Sequence, residues 1–372
     1  MQKNSKIYIA GHNGLVGSAI LRNLKNKGYS NFVFSPHKEY DLTNQSVVKE
    51  FFKKNNPEYV VLAAAKVGGI VANNTYRAEF IYENLMIQSN IIHQAYLHKV
   101  KKMLILGSSC IYPKLAPQPM KEEYLLSDIL EYTNEPYAIS KIAGLKMAES
   151  YNLQYGTNFL AVMPTNLYGP NDNFDLEKSH VLPALVRKMH LAKCFENNDF
   201  EAIRKDLHKN PIENINQNAD KKQIIEILSK YGINKNEKSV VVELWGSGSP
   251  KREFLHSNDL AEASIFLMEN TDFEDILKNN YGINEFNYPL INHELRNTHI
   301  NLGTGKDISI KELALMIKKI TGFNGQITWN TNKPDGTPRK LLDVSAIKKL
   351  GWEAKISLEN GVRLMYKDYS NK

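Results

Sequence analysis

The sequence predicts an α/β protein built on a doubly wound parallel sheet, with a smaller α/β lobe. Three observations carry this. Continuous apolar runs, KIYIA at 6–10, NFVFS at 31–35 and YVVLAAA at 59–65, read as strands buried on both faces rather than as strands with one wet face. Stretches of helical periodicity separate them, which is the alternation a parallel sheet with crossover helices requires. Gly11, Gly14 and Gly17 follow the first run at once and open the first helical stretch.

Each element has its own signal. The first helix runs amphipathically to Lys27 and stops at Gly28, a residue suited to the left-handed geometry that ends helices. A helical connection covers Lys49 to Asn55. A long helix over 77–97 leads into a strand at 103–106, and another over 137–155 leads into a strand at 159–163. Beyond Asn166 the regularity breaks. A helix at 258–269, a strand ending in INLGTG at Gly305 and a terminal helix at 357–369 remain readable. Residues 195–238 stand apart, crowded with Asn, Lys, Asp and Glu and nearly free of aromatics. They read as a passive surface insertion of one or two helices joined by flexible turns, with a substrate lid or a subunit contact as the alternative.

Composition excludes several classes. At 372 residues the chain exceeds the usual single-domain size, so two lobes, or one large domain with additions, are expected. Forty-seven Lys and Arg against 40 Asp and Glu leave a formal charge of +7, a mild excess that reads first as a solvated surface and would favour an anionic ligand without demanding one; no basic tail or nucleic-acid motif accompanies it. Cys110 and Cys194 lie far apart, so neither a disulfide framework nor a zinc site is indicated, and a reducing cytoplasm fits. No apolar stretch reaches the ~18 residues of a membrane helix, and the amino-terminal run is too short for a signal-peptide core.

The chemistry-bearing motifs follow in order. GHNGLVG lets backbone approach a pyrophosphate, and the helix behind it presents N–H donors and a partial positive charge. An NAD site places an acid after the second strand, on the adenosine ribose. Here the run is Ser35, Pro36, His37 and Lys38, with Glu39 next, so a 2′-phosphate is favoured and the expected cofactor is NADP(H). Asp41 and Leu42 follow at the spacing of the adenine. In YAISK, Tyr137 and Lys141 share one helix face behind Pro136. An ammonium there is expected to favour the phenolate and bring the hydroxyl down from its ordinary value of about 10. GSSCIYP, at 107–113, puts paired serines and a cysteine at a strand end.

The order glycine turn, serine, Tyr-x-x-x-Lys resembles the extended short-chain dehydrogenase/reductase superfamily. GHNGLVGSAI, LAAAKVGGIVANNTY, GSSCIYPKLAPQPM, TNEPYAISKIAG, VMPTNLYGPNDNF, SHVLPAL, WGSGSPKREFLH and KPDGTPRKLLDV narrow the likeness to the GDP-L-fucose synthase family. The resemblance spans nearly the whole chain apart from 195–238 and 270–297. It implies a Rossmann-type NADP-binding domain at 1–168, with returns at about 258–270 and 298–303. A substrate-binding lobe is expected at 169–257 and 304–372, and in a homodimer.

It further implies Ser108, Tyr137 and Lys141 as a reductive triad, and Cys110 with His180 as the base and acid of epimerisation. Gly11, Asn13, Gly14, Leu15, Val16, Gly17, His37, Lys38, Asp41, Leu42, Ala64, Lys141, Pro164, Asn166, Leu167 and His180 would line the cofactor. Ser109, Asn166, Lys188, Trp245, Arg252 and Asp335 would line a GDP-4-keto-6-deoxy sugar. The family commonly has arginine at the position of His37, and at 188 this chain keeps the charge as lysine. A GDP-6-deoxy-4-keto-heptose C4-reductase with little or no epimerisation stays open, because the motifs fix the reacting carbons better than the sugar tail. So does an oxidative epimerase without net reduction. A dehydratase fits less well, since that class carries an acidic pair where Ser109 and Cys110 stand. A non-catalytic nucleotide sensor is the remote alternative.

Overall fold

A computed structural model describes residues 1–371, apart from the side chain of Ile70. Lys372, the last residue of the expected lobe, and the Ile70 side chain of the expected GGIVANN motif lie outside the described residues. The chain divides into two compact units. The first comprises Met1–Asn171, Glu253–Lys306 and Leu341–Ile356; the second comprises Asp172–Arg252, Asp307–Lys340 and the chain from Ser357 on.

The first unit holds a six-stranded parallel sheet. Its strands are β1 (Ile7–Ala10), β2 (Phe32–Val33), β3 (Tyr59–Leu62), β4 (Lys102–Leu106), β5 (Phe159–Pro164) and a last one at Ile300–Leu302. The order is Ile300–Leu302, β5, β4, β3, β1, β2. Register is set by Ile7 opposite Tyr59 and Phe32, Tyr59 opposite Lys102, Met103 opposite Phe159 and Val162 opposite Ile300. Alternation inside β1 shows why both faces are apolar. Tyr8 and Ala10 point into a core with Phe51, Phe52, Val60, Leu62 and Ile91, whereas Ile7 and Ile9 join Ala19, Ile20, Leu24, Ala261 and Ile265 on the other face. The first core is covered by helices α2 (Gln45–Asn55), α4 (Arg77–Leu97) and α5 (Glu135–Tyr155), and the second by α1 (Leu15–Asn26) and the helix Ser257–Asn270. A short α3 (Ile70–Thr75) precedes α4. The chain leaves β1 towards β2 on one side and β3 on the other, so the carboxyl ends of these strands form the crevice where such sheets take ligands.

Two elements differ from expectation. β2 is only Phe32–Val33, and Ser35 is tied by the Tyr8 hydroxyl at 2.7 Å instead of by a strand ladder. Residues 271–297 and 341–356 belong to the first unit rather than outside it, because Ile276, Leu277, Ile283, Leu290, Leu342, Val344, Ile347 and Trp352 pack into the same core as the sheet. Residues 169–171, 253–257 and 304–306 also fall in the first unit.

The second unit is built on a three-stranded sheet of Gln326–Asn330, Val240–Trp245 and Ile233–Lys235, the first pair parallel and the second antiparallel. Its helices include α6 (Val181–Glu196), α7 (Phe200–Lys209), α8 (Lys221–Lys230), Ile310–Thr321 and Leu358–Asn371. The polar segment 195–238 therefore supplies two helices and an edge strand, with Ile203, Leu207, Ile224, Leu228 and Ile233 fully buried. That is firmer anchoring than flexible turns. Among the described residues no helix is long and apolar enough to cross a membrane.

Candidate active site

The turn after β1 is shaped by the absence of side chains. Gly11 has φ +81° and its Cβ would meet Ala64 N at 2.8 Å; a Cβ on Gly17 would overlap the Gly11 carbonyl and lie 2.9 Å from His12 Cα. Helix α1 begins at Leu15 with Gly14 as its cap, no side chain bonded to its first N–H groups and no acid in its first turn. Its open donors and positive end therefore suit a phosphate, and the turn fits the pyrophosphate of a dinucleotide. Asn13 and Gly14 are exposed, Leu15, Val16 and Ala64 half-buried, and Pro164 buried. His37 and Lys38 are exposed in the turn after β2, with no acid at residues 35 to 38. Asp41 is committed locally: its carboxylate accepts from Thr43 N at 2.9 Å and Thr43 Oγ1 at 2.7 Å, bonds that hold its pKa below the usual carboxylate range. The Leu42 carbonyl accepts from Asn90 Nδ2 at 3.0 Å, which anchors this turn to α4.

At the end of β4, Ser108 caps a single 3-10 turn, Ser109–Ile111, and its Oγ accepts the Cys110 N–H at 3.3 Å. The same hydroxyl bonds the Tyr137 phenol. Cys110 is 8% exposed, and its charge would act directly on both Tyr137 and Lys141. Helix α5 brings these two in, with Pro136 in its first turn. Lys141 Nζ donates to the Leu106 carbonyl at 2.9 Å and stands 5.7 Å from the centre of the Tyr137 ring. Burial pulls the Lys141 pKa down to about 8. Burial also raises Tyr137 well above its ordinary value, with the charge of Cys110 adding to the rise and the Ser108 bond opposing it. Contrary to the expected lowering by Lys141, desolvation is the largest effect on Tyr137 and raises it, which keeps the phenol protonated.

Asn166 falls on backbone duty, its Nδ2 donating to the Glu253 carbonyl at 2.8 Å. Leu167, next to it, is half-buried in the strand Asn166–Tyr168, which pairs with Phe254–His256. Glu253 itself is not singled out by any sequence motif. Fully buried, it accepts from Thr304 N at 2.6 Å and Gly305 N at 2.7 Å through one oxygen and from Leu342 N at 2.9 Å through the other. The signal available was a lone acid in an otherwise apolar strand half, EFLH. Tyr112, in the same GSSCIYP run as Cys110, was likewise missed. Its hydroxyl bonds Asn301 Oδ1 at 2.5 Å and His299 Nε2 at 2.9 Å, tying the turn to the last strand of the sheet.

In the second unit His180 is the N-cap of α6, without a side-chain cap bond. It retains solvent-exposed surface, yet the atoms crowding its ring hold its pKa below the ordinary imidazole value by desolvation. Lys188, on the same helix, donates to the Glu243 carbonyl at 3.1 Å, and burial brings its pKa down to about 8. Trp245 is 64% exposed, with Lys333 Nζ 5.1 Å from its ring centre. Beside it, the Asp335 carboxylate accepts from Ser247 N at 2.9 Å and Ser247 Oγ at 2.7 Å. Arg252 Nη2 would lie 2.9 Å from a Cβ on Gly336. The unit thus gathers Trp245, Arg252 and Asp335 around the two loops 246–250 and 331–338. Among the described residues no cluster of His, Cys, Asp or Glu could hold a metal.

Comparison with known proteins matches residues 7–208 and 214–280 to the NAD dependent epimerase/dehydratase family. GDP-L-fucose synthase of Escherichia coli K12 is 48% identical over 361 residues, 97% of this chain and 95% of that protein. The chain belongs to the GDP-L-fucose synthase family. A second member, GDP-L-fucose synthase 1 of Arabidopsis thaliana, is 47% identical over 99% of this chain and 94% of its own. Among solved structures, a GDP-6-OMe-4-keto-L-xylo-heptose reductase from C. jejuni superposes with a TM-score of 0.88 at 47% identity, covering 100% of this chain and 99% of that one. As a member of the family, the protein is a nicotinamide-dependent oxidoreductase with the α/β sheet described above.

Proposed function

We propose that the protein is an NADPH-dependent 3,5-epimerase/4-reductase that converts GDP-4-keto-6-deoxy-D-mannose to GDP-L-fucose, working as a cytoplasmic homodimer. The observation that carries this reading is the placement of buried Cys110 two residues after Ser108 in one turn, beside both Tyr137 and Lys141. A plain reductase needs the serine, tyrosine and lysine; the thiol adds a group able to move a proton on a neighbouring carbon.

Ser108 and Tyr137 hydrogen-bond the C4 ketone and stabilise the enolate that forms when the C3 or C5 proton leaves. Cys110 takes or returns that proton on one face, and His180, the family's partner for it, on the other. Two inversions precede reduction. Bound NADPH supplies the hydride to C4. Tyr137, kept protonated by burial, gives its proton to the oxygen. Lys141, with its pKa near 8, lies close enough to neutrality to re-supply it. Lys188, Arg252 and Asp335 would hold the GDP moiety, with Trp245 as a flat wall. Arg252 suits the pyrophosphate by its fork of donors. His37 and Lys38 favour the 2′-phosphate of NADP. Exposed Tyr82, Leu97, Ile139 and Tyr155 on α4 and α5 support a dimer packed through these helices.

A second reading is favoured by the C. jejuni structures, one of which is described as a GDP-D-glycero-L-gluco-heptose synthase at 46% identity and TM-score 0.88. The chain would then reduce C4 of a GDP-6-deoxy-4-keto-heptose with little or no epimerisation. Incubation with NADPH and each GDP-4-keto sugar separates the two. One-for-one NADPH consumption with the hexose, and a product inverted at C3 and C5, is the expected result. Turnover of the heptose alone, without inversion, would replace it by the second reading. The same assay with NADH measures the cofactor preference.

A further inference from the structure

We propose that the polar segment 197–235 is a positioning element for His180, gripping the loop that ends at this residue through Asp206 and Tyr231. The inference rests on His180 acting in proton transfer. His180 has no side-chain cap bond of its own, so its place depends on α6 and on the loop 172–179 before it. That loop is knotted locally. The Asp175 carboxylate accepts from Glu177 N at 2.9 Å and Lys178 N at 2.8 Å, and the Asp175 carbonyl accepts from Ser179 N at 3.1 Å. Two attachments of the knot to the rest of the unit draw on the polar segment, one through Arg187 and one directly.

The first attachment runs through Arg187, on α6 and fully buried. Its Nη1 donates to the Phe174 carbonyl at 3.1 Å, closing the loop onto the helix. A guanidinium with no exposed surface needs a counter-charge, and α7 provides it. Asp206 Oδ1 accepts from Arg187 Nε at 3.0 Å and Nη2 at 2.7 Å, and the Asn210 carbonyl accepts from Nη2 as well. The second carboxylate oxygen of Asp206 accepts the Tyr369 hydroxyl, whose ring packs on Phe174 with centroids 4.3 Å apart. The second attachment is Tyr231, directly after α8. Its hydroxyl bonds Glu177, three residues before His180, and Glu213 Oε1 at 3.0 Å. Neither Asp206 nor Tyr231 touches the site by this account; they act through the loop.

The test uses the full-length enzyme, its Tyr231→Phe and Asp206→Asn variants, and a His180→Gln variant to assign the ring signal. Tyr231→Phe keeps the ring and removes one hydroxyl, so it decides the matter if Asp206→Asn does not fold. Two readouts are taken. In histidine-labelled protein, NMR titration of the His180 ring is expected below its ordinary value of about 6.5 in the wild type and shifted towards it in the variants. Deuterium wash-in from heavy water at the sugar carbons is expected to fall at least about tenfold, with the KM for NADPH unchanged. Wild-type titration and wild-type wash-in for Tyr231→Phe would overturn the proposal. A wild-type enzyme that washes in no deuterium would instead remove the epimerase reading, and the titration would still decide the positioning.

Discussion

Lys141 directs its ammonium at the Leu106 carbonyl, 2.9 Å away at the end of β4, rather than at the phenol of Tyr137. The strand that ends in Ser108 thus holds the lysine as well, and burial keeps the lysine pKa near 8. Because the charged form is disfavoured in the folded state, the native protein carries a penalty at neutral pH that is gone above the unfolded lysine pKa of about 10.4. Between about 8 and about 10.4 the unfolded chain binds more protons, so this group adds stability as pH rises. Urea unfolding of wild type and Lys141→Met at pH 7, 9 and 10.5 should show the difference moving in favour of the wild type across that window.

Tyr137→Phe should retain NADPH binding and lose C4 reduction by about 10² to 10⁴-fold, the usual contribution of a positioned general acid. Fluorescence titration with NADPH and a single-turnover assay measure the two separately. Loss of both together would make Tyr137 a binding residue instead.

Glu253→Gln exchanges a carboxylate for a group with one acceptor oxygen, while the protein presents N–H donors to both ends, from Thr304 and Gly305 on one side and Leu342 on the other. The amide must then meet donor with donor. Destabilisation of about 1–3 kcal/mol is expected for a buried donor left unmatched, read from denaturant melts.

The glycine turn offers a contrast within one motif. Gly17→Ala collides with the backbone of Gly11 and His12, whereas a Cβ on Gly14 would meet Gly11 O at an ordinary 3.6 Å, at φ −74°. Gly17→Ala should abolish dinucleotide binding and Gly14→Ala should fold normally, as NADPH titration and thermal unfolding report.

What was legible in the sequence was what local pattern encodes. Helix α4 spans Arg77–Leu97 as its periodicity reads, and Pro136 and Gly156 bracket α5 at the first-turn and cap positions. Ser108, Tyr137 and Lys141 followed from motif order, and Cys110 beside them from the family resemblance. The direction of the Tyr137 shift did not, because desolvation depends on what the fold lays over the phenol. Glu253 meets partners 51 to 89 positions away, and Asp206 meets Tyr369 across 163, separations that no local window contains. The segment 195–238 looked passive for the same reason: its composition shows the solvent face, while Ile203, Leu207 and Asp206 lie inward.

Turnover in heavy water shows whether Cys110 moves protons on the sugar ring. Wild-type enzyme given NADPH and GDP-4-keto-6-deoxy-D-mannose should leave deuterium on C3 and C5 of the product, and Cys110→Ser should lose most of that label. A product reduced at C4 but unlabelled at both carbons would contradict the epimerase half of the account.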